Sequence, residues 1–260
     1  MPTQQLNGAA LCYEVTGTGP SIVFAHGGEG TRLHWWAQVA ALQDRFRCVT
    51  YDARGFGQSA VGDVPPTDNI HRDDLLALTD HLEIERAHLV GQSMGGLAVS
   101  GVAIAAPQRV DRLVMSDTPF NFATAALAEW SVLMMDKITN NGFDVLEHLF
   151  APGFDRRCPD LSYLYRALSR LNPKRDDPRG LDAYEAWRDQ PVGDYRDFPV
   201  PTLFIVGTED ELTLPWLMRA TAAAVGGSTL VEIEGAGHSP YAEQTARYNE
   251  VLERFLSPSS

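Results

Sequence analysis

Residues 87–96 read Ala-His-Leu-Val-Gly-Gln-Ser-Met-Gly-Gly, which is an apolar run leading into a serine bracketed by glycines. Ala87–Val90 has the length of a buried strand, and residues 94–106 are almost uniformly small and apolar. A helix that is apolar all round is buried, so the stretch predicts a strand, a turn at Ser93 and a helix packed on a sheet. A serine in such a G-x-S-x-G turn is strained and exposes its Oγ. We therefore predict that Ser93 is a nucleophile, although the bare Gly-Ser-Gly pattern also occurs in ordinary turns.

Similar strand-like runs recur along the chain and alternate with amphipathic helical patterns. The runs are Ala10–Val15, Ser21–Ala25, Cys48–Tyr51, Leu113–Met115, Thr202–Val206 and Leu230–Ile233, with a short extended piece before an Asn7-Gly8 turn. Apolar residues at helical spacing follow between them, for example Tyr248, Val251, Leu252 and Phe255. This alternation predicts an α/β protein with a mostly parallel sheet flanked by helices.

The strand pattern stops between residues 119 and 198, where helical patterns are separated by prolines. We therefore predict a core domain formed by residues 1–118 and 199–260, with residues 119–198 inserted as a helical cap over the carboxyl edge of the sheet. Trp130 and Met134 share one helical face in this insert, and we expect them to line an apolar substrate pocket with Trp187. Core packing is the commoner role for each of these side chains.

Composition and charge argue against several classes of function. The chain of 260 residues has a formal net charge of −13, whereas phosphate backbones are bound through Lys and Arg, so no nucleic-acid partner is expected. No run approaches the roughly 20 apolar residues of a membrane helix, and the N-terminus lacks a signal-peptide pattern, so we expect a cytoplasmic protein without a membrane partner. Three cysteines without C-x-x-C spacing and the lack of an H-E-x-x-H pattern predict no disulfide framework and no metal site.

Five motifs spread along the chain resemble those of the α/β-hydrolase fold superfamily, and the resemblance runs nearly end to end. They are His26-Gly27-Gly28, residues 52–59 (Asp-Ala-Arg-Gly-Phe-Gly-Gln-Ser), Gly91–Gly96, Gly207–Asp210 and Gly235–His238. The resemblance implies the α/β-hydrolase fold with an eight-stranded sheet. Within the superfamily, the chain looks similar to small esterases, enol-lactonases and ring-cleavage C–C bond hydrolases. It implies a small-molecule substrate and no cofactor, and it leaves open whether identical subunits assemble.

The base and the acid of a catalytic triad follow from the chemistry and from this resemblance. His238 lies in a glycine-rich loop after the last strand-like run, and histidine titrates near neutral pH, as a general base must. Asp210 is our first choice of acid, because it follows the run Thr202–Val206 in a position that resembles the family's acid site, and the order Ser, Asp, His agrees with this fold. Asp117, which comes just after the preceding run, is the rival, and Glu209 is a weaker third choice.

The oxyanion hole is assigned from the same resemblance. The fold takes one backbone N–H from the residue after the nucleophile and another from the loop after an earlier strand, which here are Met94 and Gly28. The neighbouring His26, Asp52 and Arg54 are interpreted as structural hydrogen-bonding residues rather than reactants.

Together these assignments predict a serine hydrolase that cleaves a small carboxylic ester or lactone through an acyl-enzyme. Two alternatives stay open: a C–C bond hydrolase of a ring-cleavage diketone, and a non-enzymatic small-molecule receptor on the same fold. Basic residues outnumber acidic ones between Arg156 and Arg188, which would favour an anionic substrate if they face the pocket. A solvated helix face explains the same residues.

Overall fold

Eight strands form a mostly parallel sheet in the computed structural model, which describes residues 2–62, 69–140, 143–173 and 193–257. The strands are β1 (Thr3–Leu6), β2 (Ala9–Thr16), β3 (Ser21–Ala25), β4 (Arg47–Tyr51), β5 (Ala87–Gln92), β6 (Val110–Ser116), β7 (Thr202–Gly207) and β8 (Thr229–Ile233). Their spatial order is β1-β2-β4-β3-β5-β6-β7-β8. The pairs among β3 to β8 are parallel, whereas β2 pairs antiparallel with both β1 and β4. The predicted α/β-hydrolase architecture with an eight-stranded sheet is therefore confirmed.

Helices cover the sheet and fill the connections between its strands. The described helices are α1 (Trp36–Leu42), α2 (Ile70–His81), α3 (Gly95–Ala105), α4 (Ala125–Asn140), α5 (Phe154–Arg157), α6 (Pro159–Ser169), α7 (Pro215–Ala224), α8 (Pro240–Glu243) and α9 (Thr245–Leu256). Short 3-10 turns occupy Arg32–Trp35, Pro107–Arg109 and Val145–His148. Among the described helices, none combines the length and the apolar character required to cross a membrane.

The centre of the core is the strand–turn–helix unit with which the sequence analysis began. Every residue of β5 and of β7 is buried, as expected for parallel strands covered on both faces. Helix α3 packs on β5, β6 and β3 with mostly buried small side chains. A Cβ on Gly95 would lie 2.2 Å from the carbonyl oxygen of Ala25, so only glycine allows α3 to approach β3 this closely. The composition of residues 94–106 thus determines how the helix packs.

The carboxyl ends of the parallel strands lie together at one edge of the sheet. Strand β3 lies between β4 and β5, so the strand order reverses direction there, and crevices at such points are the usual ligand sites of open α/β sheets. The loops that follow β3, β5, β6, β7 and β8 all leave the sheet at this edge. Each of the predicted triad and oxyanion residues belongs to one of these loops.

The chain between β6 and β7 contains α4, α5 and α6 and no strand among its described residues. Helix α4 packs on α7 of the core, and α6 contacts α8 and the 3-10 turn at Arg32–Trp35. The division into a core and a cap at residues 119–198 stays a prediction. Trp187 and the basic residues beyond position 173 in this segment lie outside the described residues.

Candidate active site

Ser93 lies at the turn between β5 and α3 in the left-handed backbone region, with φ at +49°. The backbone of a residue other than glycine is strained in this region, and such strain is often found at functional sites. The turn is fixed by two backbone hydrogen bonds, since the Ser93 N–H donates to the oxygen of Ser116 at 3.1 Å and Gly96 N–H donates to Ser93 O at 2.8 Å. A Cβ on Gly27 would lie 3.1 Å from Ser93 Cβ, so the loop after β3 passes directly beside the serine.

His238 and Asp210 form a hydrogen-bonded pair, 2.9 Å apart between Nδ1 and Oδ2. Both side chains are nearly inaccessible to water, with exposed fractions of 4% and 0%. The other carboxylate oxygen of Asp210 accepts from the backbone N–H groups of Leu212 at 2.8 Å and Thr213 at 3.0 Å. Asp210 is thus held rigidly with one oxygen directed at the imidazole, the arrangement that orients a catalytic histidine and stabilises its cation.

A hydrogen bond joins the serine turn to the histidine loop. The side-chain amide of Gln92, the residue before Ser93, donates to the backbone oxygen of His238 at 2.9 Å. Both residues are buried. The loops after β5 and β8 are therefore held next to each other, with Ser93 and His238 on adjoining backbone.

Asp117, the rival acid, lies beside the pair but does not hydrogen-bond to the imidazole. It is fully buried at the end of β6, also with φ at +49°, and its two oxygens accept from Gly207 N–H at 2.9 Å and from the Ser116 hydroxyl at 2.8 Å. Burial, and then the neighbouring charge of Asp210, raise the pKa of Asp117 well above its ordinary value. Asp210, and not Asp117, is therefore the acidic side chain that hydrogen-bonds to His238.

Asp117, Asp210 and His238 also form a group of potential metal ligands in the described part of the chain, with one atom of each within 4.8 Å of the others. Nδ1 of His238 is occupied by its hydrogen bond to Asp210. The proximity of these side chains is explained by an acid–base arrangement without an ion.

Gly28 and Met94, the predicted oxyanion donors, follow β3 and Ser93 respectively. A Cβ built on Gly28 meets no atom within 4 Å, so the backbone of this loop borders open space. Met94 is the N-cap residue of α3, at the end where the positive pole of the helix dipole favours negative charge. The role of these two positions as oxyanion donors stays a prediction.

His26 connects the loop after β3 to the loop after β4. Its Nε2 accepts from the backbone N–H of Ala53 at 2.9 Å, and its Nδ1 lies 2.7 Å from Gly27 O. The residues on either side of Ala53 form buried ion pairs. Asp52 pairs with Arg32 at 2.6 Å, and Arg54 pairs with Asp74 at 2.7 Å. These side chains are occupied with one another, in agreement with a supporting role.

The predicted pocket residues in the segment between β6 and β7 are buried. Trp130 is 1% exposed and Met134 is 0% exposed, and the indole N–H of Trp130 donates to the oxygen of Leu212 at 2.7 Å. Trp130 thus contacts the loop that holds Asp210, and its role in a pocket stays a prediction. Arg166, one of the basic residues of this segment, pairs with Asp155 at 3.2 Å, so its charge is locally balanced.

Glu209, the third choice of acid, is exposed, whereas Glu243, which the sequence analysis did not single out, is buried. The carboxylate of Glu243 accepts hydrogen bonds from the backbone on both sides of His238. No sequence signal indicated this role, because Glu243 lies in a largely polar stretch that runs from His238 to Glu250.

Comparisons with known proteins agree with the observed fold. A family model described as alpha/beta hydrolase fold matches residues 20–245. RutD of Agrobacterium fabrum, whose name refers to carbamate hydrolysis, is 28% identical over 260 residues, covering 92% of this chain and 94% of that protein. A thermophilic esterase from Thermogutta terrifontis superposes with a TM-score of 0.81 at 27% identity and covers 98% of both chains. The enol-lactonase from Burkholderia xenovorans LB400 has a TM-score of 0.80 at 27% identity, covering 99% of this chain and 100% of its own.

Proposed function

Because this chain belongs to the alpha/beta hydrolase fold family, and is a hydrolase of that fold, we propose that it is a serine hydrolase acting on small carboxylic esters or lactones. Ser93 is the nucleophile, His238 the general base and Asp210 the acid that orients it. The substrate is a small molecule and the reaction requires no cofactor.

The observation that carries this proposal is the buried hydrogen bond between His238 and Asp210 on backbone adjoining Ser93. A carboxylate at Nδ1 keeps the proton of the neutral imidazole on that nitrogen, which leaves Nε2 free to accept a proton. A buried imidazole without this partner would have no fixed tautomer. The pair therefore supports proton abstraction by His238.

In the acylation step, His238 Nε2 removes the proton of Ser93 Oγ as the oxygen attacks the carbonyl carbon of the substrate. The carbonyl oxygen becomes negative and accepts hydrogen bonds from the backbone N–H groups of Gly28 and Met94. The imidazolium formed is stabilised by Asp210, and it then donates its proton to the departing alcohol as the tetrahedral intermediate collapses to an ester of Ser93.

In the deacylation step, water replaces the alcohol. His238 removes a proton from this water, which attacks the ester of Ser93; the imidazolium then returns the proton to Ser93 Oγ as the intermediate collapses, which releases the carboxylic acid and restores the free enzyme. With a lactone, the alcohol and the acid are parts of one product, and the same two steps open the ring. The names of similar proteins, which include an esterase and an enol-lactonase, support this substrate class.

Cleavage of a C–C bond in a ring-cleavage diketone and slow ligand sensing are the alternatives to ester hydrolysis. A substrate panel tests the three together: p-nitrophenyl esters of increasing acyl length, five- and six-membered lactones, and a vinylogous diketone. The esters or lactones should show repeated turnover. A higher kcat/KM for the diketone would replace our proposal with C–C hydrolysis, and binding without repeated turnover on any member would favour a receptor.

Ser93→Ala is the matched variant for the same panel. The wild-type protein and the variant should have the same circular dichroism spectrum, because the two backbone hydrogen bonds that fix the turn do not involve the Ser93 side chain. Turnover should fall to near background, since removing a triad nucleophile lowers kcat by several orders of magnitude. A folded variant that keeps more than about a tenth of the wild-type rate contradicts the assignment, because this loss of rate would be far smaller than the loss caused by removing a nucleophile.

A further inference from the structure

Glu243 is a buried carboxylate at the end of α8 that the reaction steps above do not use. Its Oε1 accepts from the backbone N–H of Gly237 at 2.9 Å and from that of Ser239 at 3.3 Å, and its Oε2 accepts from Ala151 N–H at 2.8 Å. The side chain is 8% exposed. Hydrogen bonds to a charged acceptor are stronger than those between neutral groups, so this carboxylate holds three backbone segments in place.

Two of these donors flank the proposed base. Gly237 directly precedes His238 and Ser239 directly follows it, so one oxygen atom fixes the main chain on both sides of the imidazole. The third donor lies in the segment between β6 and β7, 92 residues away from Glu243 in sequence. A Cβ on Gly237 would lie 2.3 Å from the nitrogen of Ala151, so this segment and the histidine loop are in direct contact.

The groups that face Glu243 come from three neighbouring elements. Asp210 after β7 and Tyr165 on α6 interact electrostatically with its carboxylate, and His238 lies between its two donors. Burial raises the pKa of Glu243 to about 7, although the three N–H donors oppose this rise. Its charge therefore changes near neutral pH.

Resting on the proposed function, we propose that Glu243 is a positioning residue for His238 and couples the location of the base to the segment between β6 and β7. One carboxylate oxygen holds the backbone of the base, and the other holds Ala151. Displacing Ala151 or removing the carboxylate would move the imidazole relative to Ser93. A shift of about 1 Å in a catalytic group lowers the rate by up to about 100-fold, so such a contact affects the reaction without touching substrate.

Glu243→Gln is the variant that tests the contact. Glutamine has one acceptor oxygen, so it can satisfy either the two donors beside His238 or Ala151, while its NH₂ group faces the remaining N–H. Glu243→Asp keeps the charge but is one methylene shorter and cannot reach all three donors. Glu250→Gln on α9 is the matched control, since Glu250 is exposed and pairs only with Arg247 among the contacts the structure describes.

The measurement is kcat per reactive serine, obtained by titrating each protein with a fluorophosphonate probe and following hydrolysis of a p-nitrophenyl ester. Titration corrects for misfolded protein, so a purely structural role would leave kcat per labelled serine unchanged. We expect both Glu243 variants to lower this kcat about 10- to 100-fold. KM should stay within about twofold, because no substrate contact is removed. The control should match the wild type.

Each other outcome has a defined meaning. A folded Glu243 variant whose kcat per labelled serine stays within about twofold of the wild type overturns the proposal, because displacement of a base costs more than this. A rise in KM with unchanged kcat overturns it as well. If neither variant folds, the carboxylate is a structural requirement and the positioning role is rejected. Absence of labelling at Ser93 in the wild type is a separate failure, that of the proposed function itself.

Discussion

Asp210→Asn is predicted to keep the fold and to inactivate the enzyme, because the surroundings of Asp210 determine how the new amide must lie. Oδ1 accepts from two backbone N–H groups, those of Leu212 and Thr213, and Oδ2 faces Nδ1 of His238. An amide NH₂ at the first position would leave two buried donors unsatisfied, at about 1–3 kcal/mol each. The amide oxygen therefore takes the position of Oδ1, and the NH₂ group faces His238.

The consequence is a change of tautomer. A donor opposite Nδ1 requires that nitrogen to be an acceptor, so the proton of the neutral imidazole moves to Nε2, and the base can no longer accept the Ser93 proton. The same substitution in a serine protease triad lowers kcat by about 10⁴-fold, which corresponds to about 5 kcal/mol of transition-state stabilisation. We expect a loss of this order here, with the thermal midpoint nearly unchanged because both backbone hydrogen bonds are kept.

Asp117→Asn is the matched control, measured by steady-state hydrolysis of the best ester of the panel. Asparagine is nearly isosteric with the aspartate side chain, its oxygen can accept from Gly207 N–H, and the Ser116 hydroxyl can rotate to accept from its NH₂ group. We expect kcat within about tenfold of the wild type, since the hydrogen bond between Asp210 and His238 is kept. A larger loss in Asp117→Asn than in Asp210→Asn would refute this reasoning and move the acid to Asp117.

The remaining predictions concern two glycines and the pH dependence of stability. Gly28→Ala should fold normally, because its Cβ meets open space, but it should lower kcat/KM because the methyl group crowds the substrate. Gly95→Ala should lower the thermal midpoint, because its Cβ would lie 2.2 Å from Ala25 O, and equal midpoints of the two variants in calorimetry would contradict this. Because the pKa of Glu243 is raised, its contribution to stability is fully present below about pH 4.5 and is lost as the pH rises through about 7, a total change of up to about 3 kcal/mol. The difference in unfolding free energy between the wild type and Glu243→Gln should therefore decline across this range. The two proteins must be compared because burial lowers the pKa of His34 to about 3, which makes the unfolding free energy of both proteins change with pH in the opposite direction. If the difference in unfolding free energy between them does not change with pH, Glu243 has an ordinary pKa.

The elements that the sequence predicted best are those whose signals are local. The turn at Ser93 is specified by a buried strand, two glycines and an apolar helix within twenty consecutive residues, and the backbone strain at Ser93 is consistent with that pattern. The strand runs were also local, and their ends differ from those of the observed strands by at most three residues. Such patterns depend on side-chain periodicity, which neighbouring residues determine.

Contacts between distant segments were not accessible from the sequence alone. Asp117 and Asp210 both follow buried strands, and the family resemblance rather than a local pattern favoured Asp210, whose hydrogen bond to His238 spans 28 residues. The hydrogen bond from Trp130 to Leu212 joins residues 82 apart. Tertiary packing creates these contacts, and the sequence pattern does not indicate which distant backbone oxygen a side chain will contact.

The central claim is that Ser93 is the single reacting nucleophile, and stoichiometric labelling tests it most directly. The wild-type protein would be titrated with a fluorophosphonate, and the adduct would be located by peptide mass spectrometry while residual ester hydrolysis is measured. We predict that hydrolysis falls in direct proportion to the occupancy of one adduct per chain, that the adduct lies on Ser93, and that Ser93→Ala takes up no label. An adduct on another residue, or full hydrolysis by a completely labelled protein, would contradict the account.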